Sequence, residues 1–268
     1  MKKVVSFLSI LAATVAVAST VESDNVFGVL KLDIGTAVGQ TIIGVPWENV
    51  GGGDIDVNKI MLTNNLATGD KLYYFNYATK KFQIWELNLS TGWDAQTTVP
   101  EREYLEAVVN ENQSIPRGAA LILSRESAGP VGGGSVYLYG QYLSSDAVTT
   151  ITPRTSARAT DYVYNLIAPS RQEGVPLNRE IYFSNSEATS PLTGENSWKN
   201  ADLNGDKIIL TDGTMYSHDS NGWYVMKRTG DLPTSPKVKS YEDADVLIPM
   251  GKGAWYMRNG TGNLYIKW

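Results

Sequence analysis

Apolar positions along this chain come in short runs, each closed by glycine, proline or asparagine, which is the punctuation of successive β-strands. Val26, Phe27, Val29, Leu30 and Leu32 predict a first strand over residues 25–32, and residues 41–47 predict a second that reaches Pro46. Residues 57–62 and 71–75 continue the series, with Gly69-Asp70 as the turn between them. Phe82, Ile84, Leu87 and Leu89 mark a further strand over residues 81–89, after which Trp93 follows Gly92. Only residues 101–110, with Tyr104, Leu105 and Val108 at helical spacing, fit a helix, and the same stretch is short enough to be strand.

One phrase occurs twice. Ile115-Pro116-Arg117-Gly118 leads through an apolar run to Arg125, and Ile248-Pro249-Met250-Gly251 leads through another to Arg258, with identical spacing. Proline second and glycine fourth suit a type I turn. Gly132-Gly133-Gly134 closes the first run and Asn259-Gly260 the second, and a strand over residues 135–139 or 263–268, containing Leu138-Tyr139 or Leu264-Tyr265, follows. Each phrase therefore predicts a β-hairpin. Arg125 and Arg258 are expected at strand ends, laying their stems over apolar surface, since no acidic or phosphate-cradling pattern stands beside them in the sequence.

Further landmarks recur in order. The strand over residues 162–168 stops at Pro169 as the one over 41–47 stops at Pro46. Gly205-Asp206-Lys207 matches Gly69-Asp70-Lys71, and Gly222-Trp223 matches Gly92-Trp93. Spacings differ only in segments that read as loops, where insertions are tolerated. The expectation is an all-β protein of two related tandem β-sandwich or β-barrel-like domains that arose by internal duplication. Residues 25–143 form the first domain, the Ser- and Thr-rich residues 144–160 the connection, and residues 161–268 the second. The turn, strand and aromatic pair of residues 115–142 and 248–268 resemble phrases in exported bacterial β proteins of unknown function, a resemblance that implies no activity.

Composition narrows the setting. Lys2 and Lys3, an apolar stretch and Ala16-Val17-Ala18 resemble a bacterial secretory signal, so residues 1–18 are expected to be removed on export to the periplasm, cell surface or medium. Of the 23 Lys and Arg, removing Lys2 and Lys3 leaves 21 against 28 Asp and Glu, a formal charge of −7 that argues against a nucleic-acid partner. There is no cysteine, so no disulfide supports the fold. Nothing after residue 18 has the length of an apolar membrane-spanning helix. The chain closes on Trp268, as outer-membrane barrel strands do, but Tyr142 holds the equivalent place in mid-chain, so the repeat accounts for it.

Candidate chemistry is sparse. The one histidine, His218, lies between Ser217 and Asp219 and is expected in a polar surface loop; alone it makes neither a zinc site nor, without a nucleophile elbow, a triad. Asp202-Leu203-Asn204-Gly205-Asp206 has the start of a calcium loop but Lys207 follows and position twelve is Gly213, so a plain turn is expected. Glu86 and Asp94 are the carboxylates nearest aromatic strands, the pair a glycosidase would need. With 7 Trp and 15 Tyr, the aromatics carry the strongest signal. Repeated ones, Trp93 and Trp223, are expected in cores; the unrepeated Trp85 and Trp198 are the candidates for stacking on sugars. No catalytic set, metal site or cofactor is expected. The sequence thus suggests a non-enzymatic surface, fibre or matrix protein, self-associating or binding other surface proteins, with a carbohydrate-binding module or adhesin as the alternative and a secreted hydrolase behind both.

Overall fold

The computed structural model describes residues 26–49, 52–63, 65–77, 79, 81–96, 114–128, 134–142, 148–158, 160–169, 175–176, 182–185, 202–241 and 247–267. The proposed signal segment, the suggested helix over residues 101–110 and Trp198 lie outside them. Strands hold 54% of the structure and helix 2%, which places the protein among the β folds.

In chain order the first half runs β1 (Val26–Asp33), β2 (Gly39–Gly44), β3 (Ile55–Asp56), α1 (Val57–Ile60), β4 (Met61–Leu62), β5 (Lys71–Asn76), β6 (Lys81–Asn88), β7 (Gly92–Ala95), β8 (Ser114–Ile115), β9 (Ala120–Arg125) and β10 (Ser135–Tyr142). The second runs β11 (Val148–Ile151), β12 (Val163–Ile167), β13 (Val175–Pro176), β14 (Tyr182–Ser184), β15 (Lys207–Leu210), β16 (Met215–Asp219), β17 (Gly222–Arg228), β18 (Lys237–Ser240), β19 (Leu247–Ile248), β20 (Ala254–Arg258) and β21 (Leu264–Lys267). The stretch expected as a mere connection, residues 144–160, thus contains β11, which pairs with β21.

Three sheets form in each half: β2-β9-β5-β6-β7, β1-β10-β4 and β3-β8 in the first, β12-β20-β15-β16-β17-β18, β11-β21-β14 and β13-β19 in the second. Among the described strands the pairings correspond one for one, and β18 alone has no counterpart. Inward side chains of the two larger sheets meet in one buried cluster per half. Leu72, Trp85, Trp93 and Leu121 meet Leu32, Val136 and Leu138 in the first, and Ile208, Trp223 and Tyr256 meet Phe183, Leu264 and Ile266 in the second.

Two expectations are corrected here. The repeated phrase is not a hairpin: β9 pairs with β2 and β5 while β10 pairs with β1 and β4, and β20 and β21 separate likewise. Asn259-Gly260 does not turn the chain back because its backbone is engaged elsewhere, Asn259 N–H by Asp206 Oδ1 at 2.7 Å and Gly260 C=O by Arg154 N–H at 3.0 Å. Nor are residues 57–62 one strand. Asp56 caps a single helical turn through Asn58 N–H at 2.8 Å, and Val57 and Ile60 point together into the core.

A third cluster joins the halves. Ile42, Ala120 and Ile122 from β2 and β9 pack on Leu166 and Ala168, flanked by Tyr73, Phe75, Phe82 and Trp255. The Tyr77 hydroxyl donates to Leu166 C=O at 2.5 Å and accepts from Leu166 N–H at 3.0 Å. Backbones also meet, Gly44 N–H to Gly251 C=O at 2.8 Å and Gly253 N–H to Ile42 C=O at 3.1 Å. The approach is close enough to require glycine: a Cβ at Gly253 would stand 2.5 Å from Ile42 Cγ2, and one at Gly44 2.6 Å from Ala168 Cβ. The junction takes in the β2 and β12 ends of the main sheets and the outward faces of β5, β6 and β20 beside them, and among the described strands β7 and β18 form the other ends.

Candidate functional site

The repeated arginines are not surface stems. Arg125 and Arg258 are 2% and 1% exposed, and each meets the aspartate of the repeated Gly-Asp-Lys, Asp70 or Asp206, both fully buried. Arg258 Nη1 lies 2.6 Å from Asp206 Oδ2, which also accepts from the Tyr256 hydroxyl at 2.6 Å. Arg125 Nε stands 3.9 Å from Asp70 Oδ2, and its guanidinium donates to Gly35 and Asn65 C=O. Asp70 additionally accepts from Ala67 N–H at 2.9 Å and Glu126 N–H at 3.0 Å. Burial pushes the Asp206 carboxyl above its ordinary range, while Arg258, Tyr256 and the Asn259 amide pull against that. In sequence the partners stand 55 and 52 positions apart, and the missing acidic pattern was spatial.

This arrangement also consumes the calcium-like segment. Residues 202–206 form a turn closed by Asp206 N–H to Leu203 C=O at 2.9 Å, and Asp206 points at Arg258. Among the described residues no group of three or more His, Cys, Asp or Glu could hold a metal ion, and no helix is long and apolar enough to cross a membrane.

His218 is not in a surface loop. It sits on β16, 5% exposed, its ring 5.1 Å from that of Trp223 and edge-on to it. Its position is that of Leu87: each donates N–H to its half's aspartate C=O, accepts from the preceding glycine, and faces Trp223 or Trp93 across the ladder. Burial lowers its pKa to about 4, against the pull of Asp219 and Asp202. A neutral core imidazole is a poor general base near neutral pH.

The proposed sugar platform at Trp85 fails on burial. Trp85 lies on β6 at 0% exposure within the first core, so no ring face is open to a ligand. The period-two alternation of β6 sends Trp85 and Leu87 inward, so standing in one half only did not mark an exposed ring. Glu86 and Asp94 do come together as register neighbours on β6 and β7. Asp94 accepts from the Thr91 hydroxyl at 2.7 Å.

What remains exposed and chemically distinctive is the hairpin β17–β18, whose second strand has no counterpart among the described residues. Lys239 Nζ lies 2.5 Å from Asp219 Oδ2 and 4.4 Å from the centre of the Tyr224 ring. The Tyr241 hydroxyl donates to the same carboxylate oxygen at 3.0 Å, and the Tyr241 ring stands edge-on to Tyr224 at 5.7 Å. Desolvation acts to raise the Asp219 pKa, but Lys239, the Asn221 amide and Tyr241 outweigh it and leave the carboxyl below its ordinary range. The cluster pins the base of the hairpin to β16. Beyond it the hairpin is exposed, with Met226 at 44%, Val238 at 48% and Leu232 at 67%. There Arg228 and Lys237, two cations, are direct partners in the ladder.

A second exposed group lies by the junction. Tyr164, 55% exposed, meets Trp255 edge-on at 6.1 Å, and Lys207 Nζ sits 4.8 Å above the Tyr162 ring. Trp255 is one of the tryptophans the sequence offers for stacking on sugars, whereas the hairpin was not among the candidates. The alternation Lys237-Val238-Lys239-Ser240-Tyr241, with no match in the first half, is the signal that marks the hairpin. No protein-family model matches the chain, and comparisons with curated proteins and with solved structures find no match either.

Proposed function

We propose that this is a non-enzymatic, exported structural β protein that builds a surface, fibre or matrix by association of its sheets, on a frame that arose by internal duplication. The duplication reading is supported by the matching strand pairings and by the Asp–Arg pair at corresponding places in both halves. Export rests on the charged start, apolar stretch and small residues of positions 1–18. The observation that carries the structural role is the disposition of polar chemistry. Asp70, Asp206 and His218 are held inside the scaffold, while the hairpin β17–β18 projects apolar and basic side chains from a sheet end that no other described strand covers. Light scattering of the exported chain over a wide concentration range, with fractionation of producing cells, tests it. Concentration-dependent assembly and recovery in the cell-surface or extracellular fraction are expected; a strictly monomeric protein confined to soluble periplasm sinks the reading.

Glycan binding is the second reading, now resting on Tyr164 and Trp255 instead of Trp85. An exposed ring flanked by Lys207 and Tyr162 offers the stacking face and polar rim that sugar recognition uses. Tryptophan fluorescence titrated with a panel of oligosaccharides should change in the native chain and not in Tyr164→Ala; no change in the native chain rules it out.

A further inference from the structure

β7 and β18 end the five- and six-stranded sheets, each hydrogen-bonded on one side only among the described residues. They differ in charge. The β18 end carries Lys237 and Lys239, backed by Lys227 and Arg228 on β17. The β7 end carries Asp94, backed by its register neighbour Glu86 on β6.

The basic end holds an internal conflict. Arg228 and Lys237 are direct cross-strand partners, an arrangement that destabilises a ladder unless an anion relieves it. Lys239 has Asp219, but among the described residues no carboxylate lies within ion-pair distance of Arg228 or Lys237. Arg228 instead curls toward the turn, donating to Pro233 C=O and to Ser235 C=O. At the other end Asp94 is exposed and, among the described residues, meets no cation.

The phases of the two strands agree as well. On β7, Trp93 and Ala95 face the core side and Asp94 the outer face. On β18, Lys239 stands beside Met226 and Lys237 beside Arg228 on the outer face, which places Val238 in the core-side phase. Laid side by side, the strands would put Lys237 against Asp94 on one face. On the other, Val238, 48% exposed, would be covered by continuation of the inner apolar layer. The opposite phase would set lysines beside the apolar side of β7, so charge and burial choose the same alignment.

We propose that copies of this protein add head to tail, β18 of one extending the sheet of the next at its β7, with Lys237 paired to Asp94. This rests on the association reading above and names its partner: a second copy of the chain. Because the two surfaces differ, the contact is heterologous and does not close on a dimer. The backbone contacts between the halves lie at β2, at the far end of its sheet from β7, and the apolar junction covers β12, at the far end from β18, so among the described residues each copy keeps one donor and one acceptor end, which propagates a filament. Four residues a side make a small contact, so assembly depends on concentration and weakens with salt.

The test is a charge-swap series in the full exported chain, followed by sedimentation velocity across concentration and salt. Both residues are exposed, so Lys237→Glu and Asp94→Lys leave the cores intact, which circular dichroism and thermal melting verify. Each single variant should associate about tenfold more weakly than the native chain, since attraction becomes repulsion. An equimolar mixture of the two should regain native association, and so should the double variant. If the native chain assembles and both single variants match it, this pairing falls while association through another surface survives. If Lys237→Glu alone is impaired and Asp94→Lys is not, the basic end is engaging some other anionic surface and the head-to-tail contact is overturned. A native chain monomeric under all conditions removes the association reading itself.

Discussion

His218 offers a sharp measurement because the protein supplies its own control residue. Leu87 holds the same place in the first half, so His218→Leu puts a tested side chain into a tested kind of site. Burial brings the histidine pKa from 6.5 to about 4 in the folded chain. Above pH 6.5 the ring is neutral whether folded or unfolded, and it contributes no pH dependence. As pH falls below 6.5 the unfolded chain takes up a proton that the folded chain refuses, so stability is lost until the folded pKa is passed. At one unit per 1.36 kcal/mol the full loss is about 3 kcal/mol, of which about 2 kcal/mol has gone by pH 5. Urea unfolding of both proteins at pH 7.5 and at pH 5, analysed for free energy at constant slope, gives the difference directly. The carboxylates titrate alike in both, so they cancel. The native protein should lose about 2 kcal/mol more than His218→Leu over that interval. Equal pH dependence in the two proteins would refute the claim that His218 is folded neutral in the core, whatever the offset at pH 7.5.

Asp206→Ala leaves Arg258 buried without its anion and should cost about 3–5 kcal/mol in chemical denaturation, whereas Asp206→Ala combined with Arg258→Met should recover most of that loss. Tyr77→Phe removes both hydrogen bonds to Leu166 and should cost about 1–3 kcal/mol, with faster hydrogen exchange at the Leu166 amide and little change in the distant cores. Gly253→Val drives a side chain into Ile42 and Ile167 at the junction and should destabilise by about 1–3 kcal/mol or more, read as a lower melting temperature.

The β class of this chain was legible because many of its strands are short, end at a turn residue and lie within a few residues of their predictions. Residues 25–32, 71–75 and 81–89 became β1, β5 and β6 almost unshifted. Apolar runs and glycine or proline stops act locally, through backbone conformation and side-chain alternation, so they survive in one dimension. The repeated landmarks were legible for the same reason, and two of them, Gly-Asp-Lys and the distant arginine, belong to one interaction in each half.

What the chain does with those strands needed three dimensions. Asn259-Gly260 has the local chemistry of a hairpin, yet Asp206 and Arg154, far off in sequence, take its backbone, and the strands on either side enter different sheets. His218 lies between Ser217 and Asp219, and a polar neighbour in a strand only says that the next side chain faces the other way. Whether that other face is core or water depends on what packs there. Sequence by itself therefore determined the β class, the recurring landmarks, the charge balance and the absence of disulfides. Tertiary structure decided which carboxylate meets which arginine, that the halves join through a shared apolar layer, and which sheet ends are left open. Those are contacts between residues tens to more than a hundred positions apart, and no local pattern encodes them.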